Sequence, residues 1–111
     1  MIDKFTFGKI TINNKDYDDI KIIGENIIPW QYIEHHTVTE QDIIEITEDK
    51  PEYAIIGIGT SGLVHVKEES ISLLKEKHIK TEILLTKKAC NRYNELKKDG
   101  KKVDAIIHST C

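Results

Sequence analysis

The sequence predicts an α/β fold built on a mixed sheet, and two observations carry that prediction. From residue 53 onward, short apolar runs at Tyr53 to Ile58, Ile83 to Leu85 and Val103 to Ile107 alternate with helical patterns, as strands buried on both faces of a sheet do. Ahead of them stand several short strand-like segments, with a hairpin signal at Asn13-Asn14, residues that tolerate positive φ. Helices between strands force parallel pairing through right-handed crossovers, whereas a hairpin pairs antiparallel, so the two halves together make the sheet mixed.

The opening strands are expected at Lys4 to Gly8, Thr11 to Ile12, Lys15 to Tyr17 and Ile20 to Ile23. Residues 24–38, with Pro29, Trp30, Tyr32 and the pair His35-His36, keep neither period and are expected to wrap the core as loop and short strand. Thr39 can cap a short helix whose acidic Asp42 lies in its first turn, with Ile43, Ile44 and Ile46 as the apolar stripe and Lys50-Pro51 as the stop. The strand at Tyr53 to Ile58 runs into glycines. A helix over Val66 to Lys77 carries Ile71 and Leu74 three apart, and a second over Lys87 to Asp99 is stopped by Gly100.

A chain of 111 residues with 39% hydrophobic and 32% charged residues supports one domain, residues 1–111, and one core. The net charge of -3 argues against a general nucleic-acid surface, which needs a strong basic excess. No apolar run approaches the roughly 18 residues of a membrane helix. Residues 1–15 carry charge throughout, so no membrane segment and no signal peptide is expected and the location is expected to be cytoplasmic. Cys90 and Cys111 are too few for a disulfide framework and are expected as free thiols.

If the three later strands are parallel, their carboxyl ends share one edge, where open α/β sheets bind ligands. That edge would gather Gly57 to Gly62, Thr86 to Cys90 and His108 to Cys111. The run Gly57-Ile58-Gly59-Thr60-Ser61-Gly62 matches G-x-G-x-x-G, but Leu63 to Val66 separate it from the next helix and no acidic residue ends the next strand, so no dinucleotide and no other cofactor is expected. Its amides could instead cradle an anion. Thr86 reads as an N-cap followed by Lys87 and Lys88, a combination that attracts carboxylate or phosphate. Cys90 and Asn94 continue that stripe at i+4 spacing, and a thiol near a helix start beside lysines can have a lowered pKa.

His108, Ser109, Thr110 and Cys111 close the edge. The candidate catalytic residues are therefore Cys90, His108 and Cys111, and the candidate ligand contacts are Gly57, Gly59, Thr60, Ser61, Gly62, Thr86, Lys87, Asn94 and Thr110. A metal at His108, Cys111 and one of His35, His36 or His65 lacks C-x-x-C or H-x-x-x-H spacing, so no metal is expected; His78 reads as an exposed helix-end residue.

The run Pro51 to Gly59, then Thr86, Ala89, Tyr93-Asn94, Leu96, Gly100 and Val103, and finally Ala105, His108 and Thr110-Cys111 resemble a small domain family of unknown function. That family includes the adipogenesis-associated domain protein and a mitochondrial complex I assembly factor. The resemblance spans Lys4 to Cys111 and implies a three-layer fold, no established activity and, through the mitochondrial relative, an assembly role. Many relatives carry arginine directly after the helix cysteine and after the late glycine, where this chain has Asn91, with Arg92 one place on, and Lys101, and lysine does not reproduce a guanidinium's planar fork. The leading expectation is a non-catalytic ligand-binding or assembly module that accepts a small anion or a partner's carboxylate. The alternatives are an enzyme pairing Cys90 or Cys111 with His108, and a protein-interaction surface formed by Trp30, Tyr32 and the early hairpin.

Overall fold

The computed structural model describes residues 1–111. In chain order the elements are β1 (Lys4–Thr6), β2 (Lys9–Ile12), β3 (Lys15–Tyr17), β4 (Ile20–Ile23), β5 (Asn26–Pro29), β6 (Thr37–Val38), a 3₁₀ turn (Gln41–Ile43), α1 (Ile44–Asp49), β7 (Tyr53–Ile58), β8 (His65–Val66), α2 (Glu68–Glu76), β9 (Lys80–Leu84), α3 (Thr86–Lys98) and β10 (Val103–His108). No helix is long and apolar enough to cross a membrane.

The central sheet has the order β5-β4-β10-β7-β9. β10, β7 and β9 run parallel, while β4 pairs antiparallel with β10 and β5 antiparallel with β4. Alternation along these strands divides the core. Ile55, Val103, Ala105 and Ile107 face α3 (Ala89, Tyr93, Leu96) and the separate three-stranded sheet β1-β2-β3; Ala54, Ile56 and Ile106 face Leu74 of α2 and Ile46 of α1. Three layers result. Every residue of β10 is buried, as a strand covered on both faces must be.

The chain leaves β7 through α2 on one face and returns to β10 through α3 on the other, so the strand order reverses between β7 and β10. That reversal opens a crevice at their carboxyl ends.

Three differences from the sequence expectation have physical reasons. The early hairpin, with Asn13 and Asn14 at φ 51° and 65°, does not join the central sheet; β4 and β5 supply its antiparallel strands. β5 lies in the stretch expected to be largely irregular, because Gly24 at φ 60° turns the chain so that Ile23 faces Asn26. The helix after Thr39 is divided into the 3₁₀ turn and α1, since Asp42 N and Ile43 N bond three residues back, to Thr39 O and Glu40 O, and Ile43 at φ -106°, ψ 8° interrupts the helical run.

Candidate functional site

The parallel register sets Ile107 opposite Gly57 and His108 opposite Ile58, and Gly57 opposite Leu84, so all three later strands end at one edge. Thr86 ties them together. Its hydroxyl donates to His108 O (2.6 Å) and accepts from Gly59 N (2.8 Å). It is therefore the first residue of α3 rather than the expected N-cap; Leu85 holds the cap position without a side-chain bond.

The glycine loop binds this chain's own last residues. Thr60 N donates to Thr110 O (2.7 Å), and Ser61 N (2.9 Å) and Leu63 N (3.3 Å) donate to Cys111 O. Gly8 N, from the β1–β2 turn, donates to Ser109 O at 2.7 Å. The amides of Thr60 and Ser61, expected to cradle an external anion, are thus already engaged. Gly59 has φ +99°, and a Cβ there would overlap the main-chain carbon of Cys111. Gly57 serves packing: a Cβ would sit 3.2 Å from Thr86 Oγ1 and 3.3 Å from Ala89 Cβ, so glycine lets α3 approach β7 closely. Gly62 lies beside Leu85.

The polar centre of the edge is His108, 2% exposed. Its Nδ1 lies 2.9 Å from Asp19 Oδ2, and its Nε2 lies 3.0 Å from Thr110 Oγ1. Asp19 Oδ1 also accepts from Ser109 N (2.7 Å) and Ser109 Oγ (3.0 Å). A carboxylate only accepts, so Nδ1 carries the hydrogen and, in the neutral ring, Nε2 presents its lone pair. Asp19 is a site residue that the sequence reading missed. The signal is one of register: Ile20 pairs with Ile107, which sets Asp19 across from His108.

Around His108 stand Trp30 (6.2 Å between ring centres), Tyr32 (6.2 Å) and His36 (5.2 Å), all at steep angles. Trp30 is not the surface residue expected of an interaction face. It is 4% exposed, and its indole N–H donates to Asp42 Oδ1 at 3.1 Å. His36 has its pKa lowered, first by desolvation and then by neighbouring His35 and His108. A ligand atom from each of His36, His108 and Cys111 lies within 4.8 Å of the others, although the spacing of these residues in the sequence predicts no metal.

Lys87, Cys90 and Asn94 border a different feature, a recess of about 140 Å³ shared with Ile2, Asp3, Lys4, Phe5 and Asn91. Asn94 pins the start of the chain, its Oδ1 accepting from Ile2 N (2.9 Å) and its Nδ2 donating to Ile2 O (2.7 Å). Cys90 packs in the core, and burial pushes its thiol up to about 12, opposite to the lowering expected from its place near a helix start. Iodoacetamide near neutral pH is accordingly expected to label Cys90 at least ~100-fold more slowly than a free thiol, with labelling released by denaturant, as peptide mass spectrometry would record. Arg92 is committed to Glu82 of β9, its Nε 2.9 Å from Oε1 and its Nη2 3.1 Å from Oε2.

Among solved structures, MT938 superposes with a TM-score of 0.84 at 31% identity, covering 100% of this chain and 98% of its own. The conserved hypothetical protein PH1505 from Pyrococcus horikoshii OT3 gives 0.87 at 23% identity, with coverage of 100% and 99%. A protein from Bartonella henselae described as an outer membrane protein gives 0.85 at 24%, with coverage of 99% and 94%. The latter two likenesses concern the fold. A family model for a protein of unknown function matches residues 2–108, the span that builds every strand of the edge just described, and the chain belongs to that family, DUF498/DUF598.

Proposed function

We propose that this chain is a non-catalytic assembly module that docks an apolar, carboxylate-bearing segment of a partner protein on the edge formed by the carboxyl ends of β7, β9 and β10. One observation carries the reading. Phe7, Leu63 and Leu85 are 68%, 60% and 42% exposed, and each is, or directly precedes, a residue that hydrogen-bonds the segment His108–Cys111. Large apolar side chains gathered at one place mark an interaction surface more than scattered ones do. Beside Leu85 the exposed Lys87 and Lys88 supply positive charge for the partner's carboxylate.

The competing reading is an enzyme, and here the chemistry is unfavourable. Cys90 lies in the core with its thiol held up to about 12. Cys111 with His108 is the remaining nucleophile pair. The test is affinity capture by the native chain against two surface variants, Phe7→Ser/Leu63→Ser/Leu85→Ser and Lys87→Glu/Lys88→Glu, with melting temperature as the folding control. Docking requires a defined partner captured by the native chain and lost from both folded variants. Retention of the partner by both, or substrate turnover abolished by Cys111→Ser, would instead favour another surface or the enzyme.

A further inference from the structure

We propose that His36, His108 and Cys111 form a binding site for a zinc-type divalent cation, with Asp19 orienting His108 from behind. The inference is independent of the docking surface. It rests on three ligand atoms lying within 4.8 Å of one another, drawn from the loop after β5, the end of β10 and the residue held by the glycine loop.

The donor set is two imidazoles and a thiol, which suits a borderline-soft cation rather than calcium or magnesium, whose sites are built of oxygen. Tetrahedral zinc places its nitrogen and sulfur ligands roughly 3.5 Å apart, so the trio needs to contract by about 1 Å. That movement falls to the two less buried of the three positions. His108 is buried and fixed, whereas His36 and Cys111 are half-buried and can move toward it. With three protein ligands, the fourth position is left for water or a partner's side chain.

The surroundings of His108 match those of a metal-binding histidine. Asp19 Oδ2 accepts from Nδ1 at 2.9 Å, which fixes the ring and leaves Nε2 as the nitrogen that can ligate. Nε2 now meets the hydroxyl of Thr110 at 3.0 Å, a weak neutral partner that a cation would displace. Cys111 loses its proton on binding, and its thiolate together with the Asp19 carboxylate balances the charge of a divalent ion.

The test uses the reduced, chelator-treated full chain titrated with Co²⁺ and then with Zn²⁺. The expected result is one Co²⁺ per chain with the visible bands of tetrahedral cobalt and a thiolate-to-cobalt charge-transfer band, all bleached by one equivalent of Zn²⁺. Cys111→Ser should abolish the charge-transfer band while Cys90→Ser retains it. His36→Asn, which tolerates the backbone φ of 49° at this position, should weaken Zn²⁺ binding by more than the roughly 100-fold seen at most on losing a supporting contact. Absence of the charge-transfer band from the native chain, its survival in Cys111→Ser, or unchanged Zn²⁺ affinity in a folded His36→Asn overturns the site. Should a variant fail to fold by circular dichroism, the spectrum and stoichiometry of the native chain decide alone.

Discussion

Replacing Gly59 with alanine is expected to destabilise the protein by about 3 kcal/mol or more, a melting-temperature loss of roughly 10 °C. The residue combines two demands. Its φ of +99° lies where an L side chain is strained, at a cost of order 1–3 kcal/mol, and its Cβ position is already occupied by the main chain of Cys111. Alanine therefore displaces Thr110 and Cys111 from the amides of Thr60, Ser61 and Leu63 and loosens the Thr110 hydroxyl at His108. Gly100 supplies the control. Its φ is +77°, but a Cβ there meets nothing within 4 Å, so Gly100→Ala carries only the backbone strain, about 1–2 kcal/mol. Urea unfolding of the two variants separates strain from displacement; equal losses would show that the Cys111 contact contributes nothing.

That contact also shows where sequence reading reaches its limit in this molecule. The strands β7, β9 and β10 are visible as apolar runs because both faces of each are covered, and once they are parallel the meeting of Gly59, Thr86 and His108 follows from the topology. What each residue does at the meeting point is set by partners far along the chain. Thr86 looks like a cap because it precedes a helix, yet its hydroxyl partners lie 27 and 22 residues away. Asp19 lies 89 residues from His108 and becomes visible only when β4 is known to border β10. Trp30 stands in an aperiodic segment, and the acceptor of its buried indole N–H, Asp42, lies 12 residues on. β6 and β8, two residues each, are too short to leave any periodic trace.

Asp104 gives the second large effect, and it too was hidden inside an apolar strand. Its side chain is fully buried on β10, with Oδ1 accepting from Gly24 N at 2.9 Å. Oδ2 has no donor, and neither has the buried Oδ2 of Asp49 nearby. Desolvation first, and then the neighbouring Asp49 carboxylate, raise Asp104 to about 7, against the opposing pull of Lys102 and the Gly24 amide. A proton on Asp104 can be donated to the Asp49 carboxylate, beside which Lys102 Nζ lies 3.5 Å from Oδ1.

The folded chain thus keeps a proton that the unfolded chain releases near pH 4. This contribution to stability is fully present below that pH, declines as pH rises, and is lost once pH passes about 7. At about 1.4 kcal/mol per unit, the decline amounts to at most about 4 kcal/mol, since proton sharing with Asp49 spreads the titration. Asp104→Asn preserves the shape, lets its carbonyl accept from Gly24 N and offers an N–H to Asp49 without any titration. The difference in unfolding free energy between the native chain and Asp104→Asn should therefore move in favour of the variant from pH 5 to pH 8. Taking that difference cancels the opposite trend from His36, whose lowered pKa adds stability as pH rises. A difference that stays flat across this range would mean that Asp104 is ionised in the folded chain and that the shared proton does not exist.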